Sequence, residues 1–274
     1  MPLARLGTTS WSLRPRDPVD LVRLVHETGL EALQLGLSPV VSDRDCWGAT
    51  IPALIEADIT LLAGMLSPVQ EDYSTIARIK ETGGVLPDAT WPANEAMARA
   101  MAVLAENAGI GLVTMHAGFV PDDADDCKRP VMVQRLRMLT DIFAKEGVRL
   151  ALETGQESAS TLAAVLDEID RPALGVNFDP ANMLLYGSGD PIEAMEVLAP
   201  RIMALHLKDA TPSPAAGVWG TETPLGEGDV DWDAFFAIAR SLPHEVDAII
   251  EREGGDRRVE EIRSAVDFVR AHFE

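Results

Sequence analysis

Four short apolar runs in the second half of the chain each stop on a side chain that can bind a metal. Arg149-Leu150-Ala151-Leu152-Glu153 stops on Glu153, Ala173-Leu174-Gly175-Val176-Asn177-Phe178-Asp179 on Asp179, Arg201-Ile202-Met203-Ala204-Leu205-His206 on His206, and Val246-Asp247-Ala248-Ile249-Ile250-Glu251 on Glu251. Near-continuous hydrophobic runs of this length, followed by turn residues and then a helical period, are the pattern of parallel strands buried on both faces. A parallel strand reaches its neighbour only through a crossover, usually a helix, so the runs commit the chain to alternation.

The rest of the chain keeps that alternation. Residues 3–10, 31–37, 59–65 and 111–116 read as strands one to four, ahead of the four runs above. Helical periods cover residues 17–27, 47–57, 73–81, 93–107, 131–146, 158–168, 231–241 and 257–273, with a further helix opened by Asp190-Pro191. Asp17-Pro18 is the same start signal, a capping acid followed by proline at the first helical position. Eight strands, each followed by a helix, predict an α/β fold of the (β/α)8 TIM-barrel type, a single domain over residues 1–274. An open doubly wound sheet would want a GxGxxG turn after strand one, and Gly7-Thr8-Thr9-Ser10-Trp11 does not supply it. The acids of residues 122–126 lack the spacing of a calcium loop and read as a solvated turn.

Charge narrows the partners. The formal net charge is -21, which repels phosphate backbones and anionic lipid, so no nucleic acid and no membrane are expected. No stretch approaches the roughly 20 apolar residues of a membrane span. The start, Met1-Pro2-Leu3-Ala4-Arg5-Leu6-Gly7, lacks a signal peptide's apolar core and cleavage site. Cys46 and Cys127 form no CxxC pair, and a reduced cytoplasmic protein is expected, compatible with a homo-oligomer.

In a barrel of this type the active site lies where the strands end. Glu153, Asp179, His206 and Glu251 then converge, and three carboxylates beside one imidazole repel unless a cation or protons join them. Any one of these acids alone would read as an arginine partner or a helix cap. On consecutive strands they read as one shared site, whose oxygen-rich set suits Mn2+, Mg2+ or Co2+ better than structural zinc. Lys208, two residues past His206, faces the same bowl and either holds an oxyanion or pairs with Glu153 or Asp209. His116 ends strand four and is placed to touch substrate. Trp11, Gln34 and Met65 end strands one to three, and Trp11 could stack on a sugar ring. Asn177 is expected to fill the interior, Glu253 to orient Arg252 or a loop, and residues 211–228 to form a lid or binding loop.

These residues resemble the xylose-isomerase-like TIM-barrel superfamily, in its sugar phosphate isomerase/epimerase branch. The motifs that carry the resemblance are Leu152-Glu153-Thr154-Gly155, Asn177-Phe178-Asp179-Pro180-Ala181-Asn182-Met183, His206-Leu207-Lys208-Asp209, Pro224-Leu225-Gly226-Glu227-Gly228-Asp229-Val230-Asp231-Trp232 and Ile250-Glu251-Arg252-Glu253. The resemblance implies one divalent metal, Mn2+ ahead of Mg2+, Co2+ or Zn2+, held by Glu153, Asp179, His206 and Glu251. In the ketose 3-epimerase relatives the glutamates at the positions of Glu153 and Glu251 also exchange protons with substrate, and His116, Asn182, Lys208, Asp209 and Trp11, on the same rim, are expected to bind it. Ketose 3-epimerases carry a histidine where this chain has Asn182, which hydrogen-bonds but takes no charge near neutrality. The His-x-Lys-Asp sequence is closer to the inosose dehydratase and general sugar isomerase branches.

The function this implies is a metal-dependent sugar isomerase or epimerase acting on an unphosphorylated sugar or cyclitol. A carboxylate removes a proton next to a carbonyl, through a metal-stabilised enediolate. The alternative is a dehydratase or lyase of inosose or keto-sugar type. An apurinic-endonuclease-like phosphodiesterase would want more histidines than the 5 present and a basic surface. A non-catalytic sugar binder would have no use for crowded acids.

Overall fold

The protein is described from a computed structural model covering residues 4–273. Among the described residues the strands are β1 (Leu6–Thr9), β2 (Ala32–Gly36), β3 (Thr60–Met65), β4 (Leu112–Met115), β5 (Arg149–Glu153), β6 (Leu174–Phe178), β7 (Ile202–Leu207), β8 (Asp209–Thr211), β9 (Thr221–Thr223) and β10 (Asp247–Ile250). β1 to β7 and β10 run parallel and close into a barrel, sealed where β1 pairs with β10. β8 and β9 form a separate antiparallel hairpin above it. The first helices are α1 (Pro18–Thr28), α2 (Leu37–Ser42), α3 (Arg44–Trp47), α4 (Thr50–Glu56), α5 (Ile76–Thr82) and α6 (Trp91–Asn107). They are followed by α7 (Arg129–Lys145), α8 (Ala159–Ile169), α9 (Pro180–Tyr186), α10 (Pro191–Leu198), α11 (Trp232–Ser241) and α12 (Arg258–Phe273). None of the described helices is long and apolar enough to cross a membrane.

The eight-strand alternation is present, and the departures from it have local causes. Leu3, the expected start of strand one, lies outside the described residues. The helix expected from residue 73 begins at Ile76, because the Thr75 side chain caps it by accepting the Arg78 N–H. Tyr73 is thereby left on a loop. Of the helix expected over residues 47–57, Thr50–Glu56 form α4, and Trp47 instead ends the separate short helix α3. A helix not expected from the sequence, α9, follows β6 at once. Asp179 caps it by accepting the Asn182 N–H, Pro180 takes the first position, and Gly187 ends it in the left-handed region at φ 68°. This is the Asp-Pro start used by α1 and α10. The expected lid is a hairpin rather than an open loop.

Two apolar compartments hold the barrel. The larger lies between the sheet and the helices. The smaller gathers Ala32, Leu62, Leu112, Ala151, Ala204 and Ile249. Ala151, Ala204 and Ile249 stand two residues before Glu153, His206 and Glu251, so by strand alternation they share the inward face and form the floor beneath those side chains. Ala204 is fully buried in that floor. Ala204→Leu is expected to overfill it and lower the urea midpoint, at a cost of roughly 1–3 kcal/mol. An unchanged midpoint would show spare room under the site.

Candidate metal centre

The barrel delivers the four expected side chains to one point. Glu153 ends β5, His206 lies in β7, and Asp179 and Glu251 stand just past β6 and β10. Each offers a ligand atom, all within 4.8 Å of one another, and all four residues are buried. His206 Nδ1 lies 3.1 Å from Glu251 Oε2, 3.4 Å from Glu153 Oε1 and 3.7 Å from Asp179 Oδ2. Thr154 fixes the Asp179 backbone: its hydroxyl accepts the Asp179 N–H at 2.8 Å and donates to the Asp179 carbonyl at 2.9 Å.

The orientation of the imidazole tests whether a cation fits. Thr114 Oγ1 donates to Met65 Sδ, so it accepts from Gln34 Nε2 at 2.7 Å. That leaves Gln34 Oε1 facing His206 Nε2 at 2.7 Å, and only an N–H on Nε2 satisfies it. A neutral His206 therefore turns the bare Nδ1 lone pair towards the acids. Among the described residues neither Nδ1 nor Asp179 Oδ2 has a hydrogen-bond partner. A lone pair aimed at carboxylates repels them; a proton or a cation between them reverses the sign. The set fits a divalent cation held by three carboxylates and one imidazole.

The titration behaviour reports the same congestion. Burial pulls the His206 pKa down, but Glu153 and Glu251 more than reverse it and leave it well above the ordinary imidazole value. Burial pushes Asp179 up to about 6, with Lys208 only partly opposing. Burial also pushes Glu153 and Glu251 up, yet His116 and His206 bring Glu153 below its usual value, and Lys208 and His206 bring Glu251 well below.

The neighbours of the cluster come mostly from the expected positions. Asn182 Nδ2 donates to Glu153 Oε1 at 2.9 Å, and Asn177 Nδ2 to Glu153 Oε2 at 3.3 Å. His116 Nε2 is 3.6 Å from Glu153 Oε1. The Trp11 indole N–H donates to Glu251 Oε1. Lys208 pairs with neither Glu153 nor Asp209: its ammonium lies 3.3 Å from Glu251 and 2.9 Å from Glu253. Glu253 does not orient Arg252, which is held by Glu222 and Glu261.

Asp209, expected at the substrate, faces away from it. Its carboxylate accepts the N–H groups of Ala210, Gly226, Gly228 and Val230 and the Trp232 indole N–H. With both oxygens committed, it anchors the segment that follows β8. A Cβ at Gly228 would lie 2.2 Å from Asp209 Oδ1, so the anchored loop needs a glycine there.

Above the cluster opens a cavity of about 920 Å³, lined by Glu251, Lys208, Asn182, His116 and Trp11 around its reactive end. Its wall also includes Trp47, Glu71, Tyr73, Tyr186, Trp219 and Glu222, none of which the sequence singles out. Tyr73 is freed by the late start of α5, Glu71 precedes it on the same loop, Tyr186 rides on α9, and Trp219 lies between β8 and β9. Burial raises the Glu71 pKa, and its oxygens accept from Tyr73 Oη and the Gly84 N–H.

A family model described as "Xylose isomerase-like TIM barrel" matches residues 22–272. The 3-oxo-isoapionate decarboxylase of Pectobacterium atrosepticum is 32% identical over 120 residues, covering 42% of this chain but only 43% of that protein. The 3-dehydroshikimate dehydratase of Bacillus anthracis is 24% identical over 242 residues, 82% of each chain. The crystal structure of a xylose isomerase domain protein from Planctomyces limnophilus superposes with a TM-score of 0.89 at 28% identity, over 99% of this chain and 98% of that one. Among other solved structures sharing the fold are a D-allulose 3-epimerase and an L-ribulose 3-epimerase, each at 15% identity.

Three outcomes are expected. Gln34→Leu frees the imidazole to turn and lowers Mn2+ affinity about 10–100-fold in a chelator competition; unchanged affinity would mean the ring is oriented by something else. Metal uptake must displace protons from His206 and Asp179, so Mn2+ affinity falls as the pH drops below the raised His206 pKa and falls more steeply below about 6. Titration calorimetry in buffers of different ionisation enthalpy reads the released protons. Asp209→Ala speeds hydrogen exchange at the amides of Gly226, Gly228 and Val230, the bonds it now accepts.

Proposed function

The chain belongs to the xylose isomerase-like TIM-barrel family, and from that premise we propose that it is a divalent-metal-dependent sugar isomerase or epimerase. It removes a proton next to the carbonyl of a sugar or cyclitol. The observation that carries this is His206 Nδ1, buried without a hydrogen-bond partner among the described residues and surrounded by three buried acids, one of which, Glu251, is also cavity wall. Glu153, Asp179, His206 and Glu251 would hold the ion, for which Mn2+ is the favoured choice. When bound, the cation supplies Lewis acidity to the carbonyl oxygen and so acidifies the neighbouring C–H.

The protein groups do the rest. Glu251 and Glu153 are held ionised by Lys208, His116 and His206, and an ionised carboxylate is a ready proton acceptor. Each is also restrained: Asn182 and Asn177 hold Glu153, and Trp11 holds Glu251. One glutamate takes the proton and the other can return one. Return to the opposite face of the same carbon epimerises it; return to the neighbouring carbon moves the carbonyl. Lys208 and His116 lie on the cavity wall where oxygen charge develops, and the pinned hairpin helps to exclude water.

A second reading, a lyase, is favoured by the names of the two relatives, a decarboxylase and a dehydratase. The same abstraction followed by loss of a β-hydroxyl is a dehydration, and the same residues serve it.

The test is proton NMR in D2O with Mn2+ and a panel of ketoses, inososes and 3-keto-glycosides. Solvent deuterium should enter at the carbon beside the carbonyl, vanish on chelation, and slow by roughly 10²–10⁴ in Glu153→Gln and Glu251→Gln. No exchange with any member, or exchange that survives chelation, would sink the reading. Appearance of an alkene product instead of an isomer would select the lyase.

A further inference from the structure

The cavity is larger than the chemistry beneath it requires. Its volume of about 920 Å³ is near the upper end of the roughly 300–1,000 Å³ that enclose drug-sized ligands. One free hexose seated over the cluster would leave most of that space to water.

The composition of the wall is as uneven as its size. The chain has only 5 tryptophans and 2 tyrosines, yet Trp11, Trp47, Trp219 and both tyrosines, Tyr73 and Tyr186, line this one cavity. Trp11 belongs to the reactive end, through its bond to Glu251. The other four come from loops, a short helix and the end of α9, beyond four different strands. Trp219 meets Tyr186 edge to face at 4.7 Å between centroids, which stiffens that wall. Pro39, Val40 and Leu185 add aliphatic surface.

Charge in the same wall is negative or spent. Lys208 is its one fixed cation, and that ammonium is already held by Glu251 and Glu253. No arginine lines the cavity among the described residues. Glu253 is paired with Lys208 and Glu222 with Arg252, so with Glu71 also in the lining the wall offers no free cation to a phosphate or a carboxylate among the described residues. What the wall can bind is an uncharged ring, stacked on aromatic faces with hydroxyls reaching the carboxylates at the rim.

We propose that the cavity contains a second subsite, and that the substrate is an uncharged glycoside: one sugar ring over the four-residue cluster, the ring of its aglycone against the Tyr186–Trp219 pair, with Trp47 and Tyr73 elsewhere in the lining. The inference rests on the cluster being the reaction centre, and it narrows the substrate from sugars in general to glycosides. The aglycone ring is either a second sugar or an aryl group, two sources of the same stacked ring.

Calorimetric titration of the Mn2+-loaded protein with the methyl, phenyl and glucosyl β-glycosides of 3-keto-D-glucose separates the possibilities. A ring-bearing glycoside should bind at least tenfold tighter than the methyl glycoside, and the phenyl and glucosyl arms identify which ring is preferred. In Trp219→Ala that ratio should fall to threefold or less. Equal affinity of all three, or binding of none, overturns the subsite in the unmutated protein, whether or not the variant folds. An undiminished ratio in a folded Trp219→Ala overturns the assigned wall. Failure of the reaction is read separately: deuterium exchange into the methyl glycoside with no preference for a ring sinks the subsite alone, whereas a ring preference without exchange sinks the proton chemistry alone.

Discussion

The hydrogen bond between His206 Nε2 and Gln34 Oε1, 2.7 Å long, decides what every other buried group at this rim must do. It takes up the imidazole N–H on the side away from the acids. The opposite nitrogen is then turned into a cluster where burial already penalises each carboxylate. Carboxylates brought this close in apolar surroundings need counter-charge, since the effective cost of an uncompensated buried ion is several kcal/mol. The protein answers with Lys208 beside Glu251 and Asp179, with His116 beside Glu153, and with a proton or a cation at Nδ1. Remove the amide of Gln34, and the ring could turn its N–H inward and satisfy the acids by itself. The glutamine keeps the cluster in need of a proton or a cation at Nδ1.

The roof is organised by a second buried acid with a different task. Asp209 collects four backbone N–H groups and an indole, and so ties the segment after β8 to the barrel rim. Glu222, on that segment, accepts from Arg252 and from the N–H groups of Glu253 and Gly254. Trp219 is therefore presented by a strap fixed at both ends of the hairpin. A wall set in advance loses little freedom when a ligand stacks on it, which favours affinity through preorganisation.

The barrel and the floor of the site are legible in the sequence because burial on both faces of a parallel strand writes an apolar run, and a polar residue ending that run stands out. Glu153, Asp179, His206 and Glu251 are each conspicuous for this reason. Asp209 shows the limit of the method. It follows Lys208 at a strand end and looks like another rim residue, but hydrogen bonds to amides some twenty residues later in the chain claim it, and amides carry no residue-specific signal. Gln34 is visible as a strand end, while its role depends on Thr114 and Met65, which periodicity does not connect to it. Tyr186 and Trp219 are hidden by a short helix and a short hairpin, elements too brief for a hydrophobic period to develop. The Asp179-Pro180 start is the available clue to the helix, and Asp179 obscures it by serving as both cap and cluster acid.

The division of labour around the ring has a consequence for how such a site can arise. The cluster acids and the imidazole lie on β5, β7 and just beyond β6 and β10, while the side chains that lock the imidazole lie on β2 and β4. A fragment ending in the later strands would possess a complete donor set with an untethered rotor at its centre. The orientation of the imidazole donor is thus a property of circular completeness. Duplication or recombination of half-barrels could transmit the donors intact and still lose that orientation, unless the opposite half arrived with its glutamine in place.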